Sequence, residues 1–362
     1  MDAIFTPWRL GSLEIPNRLV RSATWEGLAQ DDGSVSERLA AVTADLARGG
    51  VGLIVTGYAF VAPEGRGLPR QTGVFADELI EPLTLMTRAV HNAGGLVALQ
   101  IVHAGGQTRS KWTGSQPLGP SKLVHPWSED EVKEMSLDEI HGVVQAFAAA
   151  ARRARAADFD AVQLHAAHGY LINQFLSPNT NLREDDYGGN LGNRARFCYE
   201  VYDAVRAEVG SDFPVFIKLN SEDAVDGGLE LSDAVETARG LAQRGIDAVE
   251  ISGGVPAAGK KAAARTVPRT EDEGYFLDNA RAVKRAVDCP VIAVGGFKSR
   301  SRILEALESV DAVAMCRPFI RQPDLANRFR NGTLDAAECV SCSQCGAATM
   351  EAGLRCGVTS PP

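Results

Sequence analysis

Short runs of Val, Ile, Leu and Ala recur along the chain, each followed by a longer stretch whose apolar residues return every three or four positions. The runs are "RLVRSAT", "VGLIVTG", "GLVALQIV", "DAVQLHA", "PVFIKLN", "DAVEISG", "PVIAVGG" and "DAVAMCR". They are nearly continuous in apolar character rather than alternating, as expected of strands covered on both faces. Between them the periodicity predicts helices over 36–48, 77–93, 138–156, 193–209, 232–244, 276–287 and 299–307, with a weaker one over 322–330. Ser34 with Glu37, and Ser136 with Glu139, have the spacing of capping boxes at two helix starts. Eight strands alternating with helices predict an α/β fold, a (β/α)8 TIM barrel. A doubly wound open sheet is the competitor, but the G-x-G-x-x-G turn it usually carries after its first strand is missing. The longest irregular segments, 58–76, 103–135 and 253–275, all follow strand ends, where a barrel places its active-site loops.

Composition narrows the functional classes. The 362 residues are 45% hydrophobic and 23% charged, which describes an ordinary globular protein with ample core. A formal charge of −9 leaves no basic face for nucleic acid. The N-terminal stretch "MDAIFTPWRLGSLEIPNRL" lacks a basic segment followed by an apolar core, and no apolar run is long enough for a bilayer. The expectation is a cytoplasmic protein with no nucleic-acid or membrane partner. Of seven cysteines, Cys198, Cys289 and Cys316 lie scattered in apolar segments and read as inert. The other four are crowded near the C-terminus.

In a barrel the strand ends form one ring. Strand one ends in Ser22, Ala23, Thr24 and Trp25, strand two in Thr56 and Gly57, strand three in Gln100 and His103. Strand four gives His165, His168 and Tyr170, and strand five Lys218. Strands seven and eight end in Gly295 and Gly296, and in Cys316 and Arg317. Glycine amides that an anion can approach, plus a cation, make a candidate phosphate site at the position usual for this fold. Each residue alone has a bland reading as turn, packing or solvated charge. Their joint occurrence in this order favours a site.

The block "HAAHGYLINQFLSPNTNLREDDYGGNLGNRARF" resembles the signature region of the Old Yellow Enzyme family, FMN-dependent NADH:flavin oxidoreductases built on a (β/α)8 barrel. The likeness continues in "IPNRLVRSATWEG", "ALQIVHAGGQ", "VFIKLNSED", "VGGF" and "AMCRPFI", and so spans residues 3 to 330. The resemblance implies that Gln100 and Lys218 contact the flavin ring, that Ser22, Ala23, Thr24 and the Gly57 region line it, and that Gly295, Gly296, Cys316 and Arg317 hold the FMN phosphate. It implies that His165 and His168 polarise a substrate oxygen and that Tyr170 donates a proton after hydride leaves flavin N5. The implied activity is NAD(P)H-dependent reduction of an electron-poor alkene (an ene-reductase). The family position that bears a flavin-tuning Thr or Cys, or a covalently bonded cysteine, corresponds to Trp25, which excludes a cysteinyl link there. The amine-dehydrogenase branch carries Tyr where this chain has His165.

The C-terminal "CVSCSQCGAATMEAGLRC" places Cys339, Cys342, Cys345 and Cys356 as C-x2-C-x2-C-x10-C, a spacing that favours a bound metal. It resembles the [4Fe-4S] motif that trimethylamine dehydrogenase and 2,4-dienoyl-CoA reductase carry after the same barrel; four thiolates also suit zinc. The expected organisation is a barrel over 1–332 and a four-cysteine metal-binding extension over 333–362. The sequence ends at Pro362, and the expectation is a chain without the further flavin and nicotinamide domains of those relatives. Two other readings stand beside the ene-reductase: a flavin and iron–sulfur dehydrogenase that oxidises an amine-like donor and passes electrons to a carrier protein, and a non-catalytic flavin-binding sensor. A homo-oligomer is left open.

Overall fold

The computed structural model describes residues 2–125 and 128–358. Met1, Pro126 and Trp127 of the 103–135 loop, and residues 359–362 of the expected extension lie outside the described residues. The eight apolar runs become eight parallel strands: β1 Leu19–Arg21, β2 Leu53–Val55, β3 Val97–Val102, β4 Ala161–Ala166, β5 Val215–Asn220, β6 Val249–Ser252, β7 Val291–Val294 and β8 Ala312–Met315. Each pairs with the next, β8 pairs with β1, and β3 with β4, so these eight strands close into a (β/α)8 barrel.

The intervening helices are α1 Glu37–Arg48, α2 Ile80–Asn92, α3 Leu137–Ala156, α4 Leu191–Val209, α5 Leu231–Gln243, α6 Leu277–Lys284, α7 Arg300–Leu307 and α8 Leu325–Arg330. Their apolar faces cover the outward residues of the strands, such as Val162, Leu164 and Ala166 of β4. The capping box at α3 forms as its spacing predicts, with Ser136 and Glu139 reciprocally bonded. At α1 the expectation is corrected. Ser36 is the cap and accepts from Leu39 N–H, while the Ser34 hydroxyl is spent on Asp32 in the preceding turn. The helix starts two residues later than a cap at Ser34 would allow.

Inside the barrel, a two-residue period carries each strand from apolar to polar. Ala161, Phe216 and Ala248 occupy the lower layer, and one pleat higher Gln163, Lys218 and Glu250 replace them. An N-terminal hairpin, Trp8–Leu10 with Leu13–Ile15, closes the lower end with Trp8, Leu10 and Ile15 against that apolar layer. Its strands are only three residues long and fall outside the helix–strand alternation, so the sequence pattern does not announce it. The chain after α8 is packed over the opposite end: Leu354 N–H bonds to the Glu26 carbonyl, and Arg70 donates to the carbonyls of Thr349 and Met350. Among the described residues no helix is long and apolar enough to cross a membrane.

Candidate active site

The polar layer continues upward into a cavity of about 510 Å³ at the carboxyl ends of the strands. Of the expected residues, Ser22, Ala23, Thr24, Gln100, His165, His168, Tyr170, Lys218, Gly295, Gly296, Cys316 and Arg317 all face it. Gly57 does not. Its N–H is taken by the Glu26 carboxylate at 2.8 Å, and that carboxylate fills the space where a Gly57 side chain would project. Cys316, read from sequence both as an inert thiol and as a phosphate contact, is half-buried and stands on the wall. Cys198 is fully buried, and burial pushes its thiol up to about 12.

The floor is a connected set of hydrogen bonds. Gln100 Nε2 donates to Gln163 Oε1 (2.6 Å), and Gln163 Nε2 donates to Glu250 Oε2 (2.7 Å). Ser22 Oγ donates to Glu250 Oε1 (2.7 Å), and Lys218 Nζ reaches both Ser22 Oγ (2.6 Å) and Glu250 (2.9 Å). His165, Lys218 and Glu250 stand side by side in register on adjacent strands. One acceptor in this set, Gln100 Oε1, is buried without a partner. An orphaned buried acceptor calls for a donor from a bound group.

The HAAHGY turn is held from behind. His168 has φ 61°, a left-handed conformation costly for a residue with a β-carbon. Its N–H donates to Asn220 Oδ1, Gly169 N–H donates to Asn173 Oδ1, and both amides donate to Asp223. Gln174 ties the same turn to the loop after β3 through Gly169, Ala104 and Gly106. The Asn and Gln of "LINQF" are therefore framework. His165 accepts from Ala167 N–H at Nδ1 (3.3 Å), so its Nε2 carries the proton when the ring is neutral. His168 Nε2 is 2.7 Å from Ser252 Oγ. Burial and the Lys218 charge hold His168 down at about 3; burial, His168 and Lys218 hold His165 well below the usual imidazole range. Both rings are neutral at physiological pH. Tyr170 packs 4.8 Å from His165, and burial raises its phenol, partly offset by hydrogen bonds from Tyr58 and Gln107.

Across the cavity, Gly295 and Gly296 have φ 138° and 77°, and a β-carbon on Gly296 would press on Val267 and Tyr275 at 2.6 and 2.7 Å. Arg317 beside them is braced by the Ser341 carbonyl, Ser343 and the Arg265 carbonyl. A Gly–Gly cradle, a fixed guanidinium, Lys218 and the orphaned Gln100 oxygen together fit FMN: an anion at one end and a hydrogen-bonding ring over the floor.

Tyr58, Gln107, Glu250, Ser252 and Tyr275 also line or support the site, though none is among the site residues expected from sequence; Tyr58 and Tyr275 fall outside every stretch quoted above. Glu250 was findable, as the one charged residue in the strand Val249–Ser252, at an inward position two before Ser252.

Cys339, Cys342, Cys345 and Cys356 border one crevice with Arg317, Ile320 and Arg321, and Arg317, Ile320, Ser343 and Cys345 are common to it and the main cavity. Among the described residues, no three His, Cys, Asp or Glu side chains stand ready to hold a metal ion. Burial and the nearby thiols of Cys316 and Cys339 push Cys345 up to about 11.

The closed barrel and the site at its carboxyl end define a flavin-type oxidoreductase. Residues 3–335 match the NADH:flavin oxidoreductase / NADH oxidase family, and the chain belongs to it. It is an FMN-dependent NAD(P)H oxidoreductase of the Old Yellow Enzyme kind. It is 36% identical to the 4,4'-dithiodibutanoate disulfide reductase of Rhodococcus erythropolis, over 98% of this chain and 95% of that one. Among solved structures it is similar to 2-naphthoyl-CoA reductase in complex with 2-naphthoyl-CoA (27% identity, TM-score 0.87), covering 95% of this chain but 54% of that one. The chain thus spans about half the length of that reductase. It is also similar to the old yellow enzyme homologue of Zymomonas mobilis (27% identity, TM-score 0.80, 93% and 94% covered).

Proposed function

We propose that the chain reduces a carbon–carbon double bond conjugated to an oxygen-bearing group, with His165 and His168 holding that oxygen and Tyr170 delivering the proton. The observation that carries this reading is the gathering of two neutral imidazoles and a protonated phenol on one wall, facing the FMN-sized floor. Bound FMN, reduced by NAD(P)H, supplies the hydride. Gln100, Lys218, Ser22 and the backbone of Ala23 and Thr24 would hold its ring, and Gly295, Gly296, Cys316 and Arg317 its phosphate.

As negative charge grows on the substrate oxygen, His165 Nε2–H is placed to donate to it, and a second donor from His168 shares the load. Their burial keeps water from competing. Tyr170 then transfers its proton to the carbon next to the activating group, as a neutral acid fixed at the helix start Leu171–Leu176. Replacing Tyr170 with Phe should slow alkene reduction by about 10²-fold or more while leaving FMN reduction within about twofold. Equal loss in both half-reactions would sink the assignment.

Similarity along nearly the whole chain to a disulfide reductase supports a second acceptor class. An organic disulfide would take the same two electrons and two protons and leave as two thiols, so a disulfide belongs in the first substrate panel.

The four-thiol crevice favours a thiophilic metal, held by Cys339, Cys342, Cys345 and Cys356. A [4Fe-4S] cluster would supply single-electron exchange with a carrier protein, whereas zinc would be structural. Metal analysis of anaerobically purified protein, repeated on Cys342→Ser, distinguishes them: about four irons lost in the variant, about one zinc lost, or no metal in either.

A further inference from the structure

Tyr58, just past the end of β2, lies outside every motif that marks this site. It is buried, its ring is 5.2 Å from Tyr170 and 5.9 Å from His165, and the two phenols act on each other electrostatically. Its backbone is fixed as well. Gln71 donates to the Tyr58 carbonyl (2.8 Å) and accepts from Gly67 and Leu68 N–H, clamping the loop over the ring.

Two phenols in contact raise the question of which one releases a proton. The groups around them answer it. Glu26, from the segment after β1, lies on the Tyr58 side, paired with Arg21 at 2.9 Å and with Gly57 N–H. A phenolate at Tyr58 would face that carboxylate. On the Tyr170 side are the neutral His165, the amide of Gln107, and, beyond His165 and His168, the Lys218 cation. Burial holds the protons of both phenols; at Tyr58 the Tyr170 phenol and Glu26 add to it, whereas at Tyr170 the neighbouring Tyr58 and Gln107 offset it.

We propose that Tyr58 is a positioning residue that keeps its own proton and donates a hydrogen bond to the Tyr170 oxygen as Tyr170 gives up its proton to the substrate carbon. This rests on Tyr170 being the proton donor. In the step, the Tyr170 O–H bond breaks and its electron pair stays on oxygen. The electron pair of the enolate forms the new C–H bond, and solvent later returns a proton to Tyr170. Tyr58 O–H does not break at any point; it only shortens its contact to the charged oxygen.

The first test needs no turnover. With 3-fluorotyrosine at position 170, fluorine NMR follows ionisation of that one phenol. Tyr58→Phe should raise the midpoint by about half to one pH unit, the worth of one hydrogen bond; an unmoved or lowered midpoint overturns the proposal. The second test uses the holoenzyme. Tyr58→Phe should slow alkene reduction about fivefold to tenfold and raise the solvent isotope effect, because only the proton transfer becomes harder. A rate loss seen instead in the isotope effect of the transferred hydride would mean misplaced substrate, and would overturn it. Should Tyr58→Phe fail to fold or hold FMN, 3-fluorotyrosine at 58 keeps the shape and strengthens the donor; it should lower the solvent isotope effect, and no change overturns the proposal. Tyr170→Phe separates the two failures. If that variant reduces alkenes normally, the donor reading falls; if it is slow while the Tyr58 tests are flat, only the role of Tyr58 falls.

Discussion

Lys218 and Glu250, in register on adjacent strands, form an ion pair of 2.9 Å sealed in the barrel floor, with side chains 3% and 0% exposed. Apolar residues would fill this space at lower cost, since desolvating two charges commonly outweighs their attraction. The pair therefore marks the layer where packing gives way to chemistry. Ser22 and Gln163 complete the coordination of Glu250, so Lys218 is held upright under the cavity rather than folded against the wall.

Breaking that pair is expected to be expensive. Glu250→Gln leaves Lys218 charged and unpaired in a buried layer and should cost about 3–5 kcal/mol of stability, read from urea unfolding of the FMN-free protein. With FMN bound, the uncompensated cation should also raise the flavin midpoint potential. A potential unchanged from wild type would show that Lys218 does not sense the flavin.

The buried imidazoles make stability depend on pH with a definite sign. His165 and His168 titrate far below their unfolded value, and burial holds His103 at about 4. Below about 6.5 the unfolded chain binds protons that the folded chain refuses, so stability falls as pH drops from about 7 toward 4. Each ring contributes a slope approaching 1.4 kcal/mol per pH unit at full effect. Urea midpoints at pH 7, 6 and 5 check this; His168→Asn should flatten the slope by about one ring's share.

Gly296→Ala is expected to spoil the anion cradle. The added methyl would meet Val267 and Tyr275 inside van der Waals contact, on a backbone of φ 77°. We expect FMN affinity to fall at least about tenfold, with a loss of about 1–3 kcal/mol in stability. Fluorescence titration with FMN measures the first directly.

The helix caps give a control far from the chemistry. Ser36→Ala should cost about 1 kcal/mol and Ser136→Ala a similar amount, while Ser34→Ala should stay within about 0.5 kcal/mol. Thermal unfolding of the three variants, side by side, decides whether the cap of α1 sits at 34 or 36.

Chain reading found the parts of this molecule whose signals are local. The eight strands and their helices repeat one period switch; the strand bounds fall inside the runs that announce them, and the helix bounds lie within about three residues of those expected, with α3, α4 and α5 starting one or two residues early. His165, His168 and Tyr170 were legible because six consecutive residues carry all three. Tyr58 and Gln107 were not, because each becomes chemical only when the loops after β2 and β3 bring it to Tyr170. Gly57 does not face the cavity for a related reason: in space the Glu26 carboxylate takes its N–H and fills the side it would present. Ser34 has the right spacing for a capping box, but Asp32 outcompetes the helix for its hydroxyl, a choice made within a turn that periodicity does not see.

The segment after α8 carries a consequence for how this scaffold diversifies. Thr349 and Leu354 stand in the wall of the same cavity as His165, though about half the chain separates them in sequence. His165, His168, Tyr170 and the polar floor are all fixed by the barrel, while one side of the cavity is lined by the segment after α8, which holds on through Arg70, Arg38 and the Glu26 carbonyl. Evolution, or an engineer, can thus recut the doorway by exchanging a single stretch of chain, and leave the hearth behind it untouched.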